Sequence, residues 1–226
     1  LNLAPTPVPT PTKSTSGGEK YSLPPNLTSI DIILPFDAIA FTSACFPFWR
    51  LLNWSNAAVF SAVDEGKPSI VNIIGTGSNC SYYDGKDVIQ KVQSLGYVLM
   101  DYASGNYYGK YLIRAFYFNK MPQYLRDEFS KNYDLSPNTI KNKLYREENP
   151  NTYLAKFAQF IVKNKEVLEM KSIIEDGLQR FISHQILQFE NAKDVPIHFI
   201  GSIAHYLKDE IDLALKRNGL RLGNVV

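Results

Sequence analysis

The sequence predicts an α/β protein in which helices flank a sheet, and three observations carry that expectation. Short apolar runs at 70–74, 80–83 and 96–100 read as strands of an antiparallel meander, punctuated by Gly75-Thr76-Gly77 and Asp84-Gly85. From Asn106 onward apolar residues recur mostly at helical spacing. Residues 196–200 form a compact apolar strand that runs into Gly201-Ser202 and then an amphipathic pattern. Such a strand-turn-helix unit gathers ligands at the carboxyl end of its strand.

Taken in order, residues 1–29 hold Pro5, Pro7, Pro9, Pro11, Pro24 and Pro25 among Thr, Ser and Gly, a composition that predicts a disordered arm. Residues 30–54 are apolar and aromatic, and 56–63 read as a short helix ended by Gly66 and Pro68. The three strands follow. Residues 106–118 then place Tyr107, Tyr111, Ala115 and Phe118 near one helical face, which reads as core. Ser136-Pro137 supplies a cap and first turn for a helix over 138–145. Pro150-Asn151 opens another through 162, and Leu168, Ile173, Leu178, Ile182 and Ile186 mark a long helix over 166–189 that should cover the sheet. The last helix, 204–216, closes before Gly219.

Composition narrows the function classes. In 226 residues, 45% are hydrophobic and 20% charged, enough to bury a core, and a net charge of +2 gives no drive toward nucleic acid or membranes. No apolar stretch approaches a membrane span and no leader is evident, so a cytoplasmic protein is expected. Cys45 and Cys80 lack zinc spacing, and His184, His198 and His205 share no metal-ligand pattern, so no metal centre is expected.

The residues with chemical potential lie at the turns. Gly75-Thr76-Gly77 joins two strands, and it is either a plain hairpin turn or a concavity whose successive N–H groups receive an anion. Asp101 ends the third apolar run just before Ser104-Gly105 and a helical pattern. It is either a ligand site or the cap of that helix.

The run formed by Gly75-Thr76-Gly77-Ser78-Asn79 with Tyr83-Asp84-Gly85, Leu95-Gly96-Tyr97, Asp101, Ser104-Gly105, Tyr108-Gly109-Lys110, Pro150-Asn151 and residues 199–204 resembles the N-acetylglucosamine kinase-like group of the BadF/BadG/BcrA/BcrD ATPase family. The resemblance is good from about Ser69 to Gly223, faint over 31–68 and absent before Asp31. It implies an actin-like, ribonuclease H-like ATPase lobe with a mixed sheet flanked by helices and a helical insertion over 69–226. Residues 30–68 would be a remnant of an N-terminal lobe.

It also implies transfer of the ATP γ-phosphate to a hydroxyl of an amino sugar, with Mg²⁺ neutralising the phosphates. Carried over position by position, Gly75, Thr76 and Gly77 would hold the phosphates, and Gly201 and Ser202 would lie near adenosine. Ser78, Asn79, Gly96 and Asp101 would bind the sugar. Three features depart from the family. Its Glu-Gly pair after the aspartate is Tyr102-Ala103 here, its first phosphate turn falls where the proline-rich arm stands, and the position of its catalytic aspartate reads Trp54-Ser55-Asn56-Ala57-Ala58. Neither Ser nor Asn is a carboxylate base, so no catalytic residue is assigned. A lobe truncated at both ends, short of its last strand and helix, with impaired turnover is expected; a noncatalytic binding remnant is the alternative. Related kinases are commonly dimers, and a homodimer is possible through the aromatic segment 36–54.

Overall fold

A computed structural model describes Val59 and residues 61–226. The expectations for the proline-rich arm, the aromatic segment and the Trp54–Ala58 stretch lie outside these residues. Of the helix expected over 56–63, Val59, Ser61 and Ala62 are helical.

Two apolar strands, β1 (Ser69–Ile74) and β2 (Ser78–Tyr83), pair antiparallel, Ile74 opposite Ser78, across the turn 75–77. Asp84-Gly85 makes the next turn as expected. Asp84 Oδ1 accepts the N–H groups of Lys86 and Asp87 at 2.8 and 2.7 Å, which returns the chain into the two-residue strand β3 (Val88–Ile89). Across the sheet, β4 (Ile197–Ile200) lies parallel to β1, and β5 (Leu222–Val225) lies parallel to β4. The order β3-β2-β1-β4-β5 makes a mixed sheet, as the resemblance implied.

Two strand expectations are corrected. Residues 96–100 form a turn, not a strand: Met100 N–H donates to Gly96 O at 2.9 Å, and Gly96 has φ +79°. The apolar side chains that suggested burial face solvent, Val98 at 70% and Leu99 at 67% exposure. Partnership with β2 goes to Val88–Ile89 instead. At the other edge, β5 supplies a strand where none was expected; His198 Nδ1 accepts the Asn224 N–H at 2.8 Å and ties β5 to β4.

Helices cover one face of the sheet: α1 (Gly105–Tyr117), α2 (Gln123–Asn132), α3 (Pro137–Tyr145), α4 (Pro150–Lys156), α5 (Ala158–Lys163), α6 (Leu168–His184), α7 (Ser202–Tyr206) and α8 (Lys208–Arg217). Ser136 caps α3 by accepting the Thr139 N–H, with Pro137 in the first turn, as its sequence predicts. Helix α2, whose Leu125 and Phe129 are buried, was not anticipated. Phe118, expected on the buried face of α1, is exposed at its C-terminal cap.

Two expected helices are broken. The one over 150–162 turns at Phe157, whose ring packs between Phe129, Tyr133 and Tyr153. The one over 204–216 turns at the fully buried Leu207. The long helix over 166–189 is shorter than expected and passes into a 3₁₀ turn at Ile186–Gln188.

Ile70, Ile74, Cys80, Ile197 and Phe199 point into the helical layer and form the main core with Tyr108, Leu112, Phe181 and Leu215. On the opposite face Val71 and Tyr83 pack with Val59 and Ala62. Close helix packing depends on two glycines. A Cβ at Gly109 of α1 would stand 1.9 Å from Leu154 O in α4, and one at Gly177 of α6 would stand 2.9 Å from the rings of Tyr107 and Tyr108. These contacts hold α1 with its N-terminus under the β1–β2 turn.

Candidate functional site

The turn 75–77 is both things the sequence allowed. It is a hairpin turn, closed by the Gly75 N–H donating to Gly77 O at 2.9 Å. It also presents the adjacent N–H groups of Thr76 and Gly77, which have no partner among the described residues. Successive free amides in a half-buried turn suit an anion. The carbonyls of the turn face the other way: Gly75 O accepts from Gly105 N–H at 2.7 Å and Thr76 O from Asn106 N–H at 3.0 Å. The first amides of α1 are therefore consumed in fixing the turn.

Asp101 is brought directly against this turn. An ideal Cβ at Gly77 would lie 2.8 Å from Asp101 Oδ2, so only glycine leaves room for the carboxylate. Asp101 is 7% exposed and adopts φ +64°, a left-handed conformation that aspartate tolerates better than most residues. It does not cap α1. That role falls to Ser104, whose side chain accepts the Tyr107 N–H, while Ser104 Oγ donates to Asp101 O at 2.6 Å. Asn106 Nδ2 donates to Asp101 Oδ2 at 3.2 Å.

The second glycine turn meets the first. Gly201 follows β4 with φ +115°, and a Cβ there would stand 2.6 Å from Ile74 O and 3.4 Å from Gly75 N. Its N–H donates to Val226 O at 3.0 Å. Ser202 opens α7 beside it. Thus Gly75, Thr76, Gly77, Asp101 and Gly201 cluster at the carboxyl ends of the parallel strands β1 and β4.

The remaining expected residues sit at different distances from this cluster. Ser78 Oγ donates to Tyr102 O at 2.8 Å, which ties down the Tyr102–Ala103 peptide next to Asp101. Asn79 alternates to the opposite face of β2, and its Oδ1 accepts from its neighbour Cys80 N–H and from Gln90 Nε2. Gly96 begins the exposed turn before Asp101 and meets no atom within 4 Å of its would-be Cβ. Asp64, the acid nearest in sequence to the Trp54–Ala58 stretch, precedes β1, at the end of the sheet away from the turn, where it pairs with Lys67 at 3.0 Å.

Several supporting residues escaped sequence reasoning. The Tyr102 ring packs between Tyr107, edge-on, and His184, tilted, at 5.6 and 5.5 Å between ring centroids. Tyr107 donates to Asp176 Oδ2 at 2.8 Å, and the Arg180 guanidinium beside Asp176 holds that carboxyl below its ordinary range. Asn106 and Lys110 also face the 96–101 segment; their i,i+4 spacing was the available signal. Burial, aided by the nearby Arg114 cation, lowers the Lys110 pKa, and Asp101 opposes that shift.

A mixed sheet flanked by helices, with two glycine turns at the ends of neighbouring parallel strands, is the architecture of an actin-like lobe. The solved structure of a candidate N-acetylglucosamine kinase from Porphyromonas gingivalis matches the chain with 32% sequence identity and a TM-score of 0.68, over 71% of this chain and 56% of that one. Another candidate N-acetylglucosamine kinase, from Chromobacterium violaceum, matches with 19% identity and a TM-score of 0.51, over 70% and 55%. The chain thus spans a little over half the length of each. No family model matches it, and neither does any curated protein. Among the described residues no helix is long and apolar enough to cross a membrane.

Proposed function

We propose that the chain carries the ligand-binding lobe of an ATP-dependent amino-sugar kinase of the BadF/BadG/BcrA/BcrD type, which transfers the γ-phosphate to a hydroxyl of N-acetylglucosamine. One observation carries the reading: the Asp101 carboxylate packs against the turn that presents the free amides of Thr76 and Gly77, so a hydroxyl acceptor and an anion site stand side by side. Asp101 accepts a hydrogen bond from a sugar hydroxyl and orients it toward the phosphate held at the turn. Gly201 and Ser202 border the nucleotide. The likeness to the Porphyromonas protein supports the choice of amino sugar.

ATP brings Mg²⁺, which neutralises the phosphates when bound. Magnesium takes most of its ligands from phosphate oxygens and water, so the turn amides that hold the phosphates would hold it through them. Among the described residues no group of three or more His, Cys, Asp or Glu side chains is placed to hold a metal ion.

Turnover in this chain is slow in our reading, because the base position reads Trp54–Ala58 and Asp64 stands at the wrong end of β1. Losing a general base typically lowers rate about 10²–10⁴-fold. The second reading, a noncatalytic lobe that binds sugar or nucleotide as an interaction module, rests on that same observation. Calorimetric titration with N-acetylglucosamine and Mg-ATP, with sugar phosphate assayed in the same samples, separates them: binding with product supports the kinase, binding without product the remnant.

A further inference from the structure

The segment from Gly96 to Asp101 carries two expected sugar-binding residues, yet it belongs to no strand and exposes its apolar tip. Its position is set from one side of α1. Lys110 Nζ donates to Tyr97 O at the start of the segment, and Asn106 Nδ2 donates to Asp101 Oδ2 at its end. The two donors are four residues apart, so they stand one above the other on the helix. Between them the Met100 N–H closes the turn on Gly96 O.

Asn106 is itself immobilised. It is 1% exposed, its N–H is bonded to Thr76 O, and its Oδ1 is buried with no partner among the described residues. An amide buried with an unmet acceptor is costly, and this orientation places its donor end on the carboxylate.

We infer that Asn106 and Lys110 are positioning residues: from successive turns of α1 they clamp the 96–101 segment and hold Asp101 beside the Gly75-Thr76-Gly77 turn for its ligand. The inference rests on the sugar-kinase reading for the identity of that ligand, though not for the clamp. Lys110 acts through the Tyr97 carbonyl and does not touch the nucleotide turn. Its loss should therefore weaken the sugar while sparing Mg-ATP.

The test compares the full chain with Lys110→Met and Lys110→Arg, by amide hydrogen exchange of 96–101 and by titration with N-acetylglucosamine and Mg-ATP. In Lys110→Met the segment should exchange about tenfold faster and sugar affinity fall about tenfold, as expected for one charge-assisted hydrogen bond. Exchange in α6 and affinity for Mg-ATP should not change, and Lys110→Arg should restore both losses. Asn106→Ser serves as the second variant for exchange and sugar affinity, both of which should change as in Lys110→Met; Mg-ATP is compared only in Lys110→Met, because the Asn106 N–H also holds Thr76 O.

The inference is overturned if exchange of 96–101 is unchanged in both Lys110→Met and Asn106→Ser, or if the segment loosens while sugar affinity holds. A wild-type chain that binds no sugar, with a segment that still loosens in the variants, would sink the sugar reading and uphold the clamp.

Discussion

Gly77 and Asp101 occupy one another's space: the volume a side chain at 77 would need is filled by the Asp101 carboxylate, 2.8 Å from the ideal Cβ position. The pair fixes the distance between the free amides of the turn and the acid proposed to orient a hydroxyl. Gly75, two residues earlier, has open space where its Cβ would be.

Gly77→Ala and Gly75→Ala should therefore part company. Alanine at 77 must displace the carboxylate, an overpacking that should cost about 1–3 kcal/mol and abolish sugar binding. Alanine at 75 should change stability by less than about 0.5 kcal/mol but weaken Mg-ATP, because a methyl group there would hold a phosphate off the backbone. Thermal unfolding and titration of both variants check this.

Gly201→Ala meets two obstacles at once, the left-handed φ of +115° and a carbonyl 2.6 Å away on Ile74. It should destabilise the chain by about 2 kcal/mol or more, lowering Tm by roughly 4–8 °C for a chain of this size. A Tm within a degree of wild type would contradict the contact between the two glycine turns.

His198 predicts a pH dependence. Burial lowers its pKa from the ordinary 6.5, with the Asp64 carboxylate opposing, and its Nδ1 must stay unprotonated to accept the Asn224 N–H. The unfolded chain then binds more protons than the folded one below about 6.5, so this contribution is full above that pH and is lost as pH falls toward the folded value. Denaturant unfolding at pH 5 and pH 7.5 should show a drop on acidification that is smaller in His198→Gln.

What the sequence revealed was mostly local chemistry. Asp84-Gly85 and Ser136-Pro137 act through backbone groups two or three residues away, so their turn and cap could be read from their neighbours. The run 96–100 misled because apolarity says nothing about whether a sheet edge is free to receive it, and Val88–Ile89 already pairs with β2. The breaks at Phe157 and Leu207 depend on packing against elements distant in sequence. In the site, the glycine turns were legible as turns, whereas the approach of Asp101 to Gly77 and the grip of Asn106 depend on how α1 is seated by Gly109 and Gly177.

The most direct test of the account is the affinity of the chain for N-acetylglucosamine before and after Asp101→Asn. Asparagine tolerates the left-handed backbone at 101 and nearly matches the aspartate in volume, so the fold should survive with an unchanged melting midpoint. The wild-type chain should bind the sugar saturably and the variant about tenfold or more weakly, the effect of removing a charged hydrogen-bond acceptor. Equal affinity in the two proteins, or no sugar binding by the wild-type chain, would contradict it.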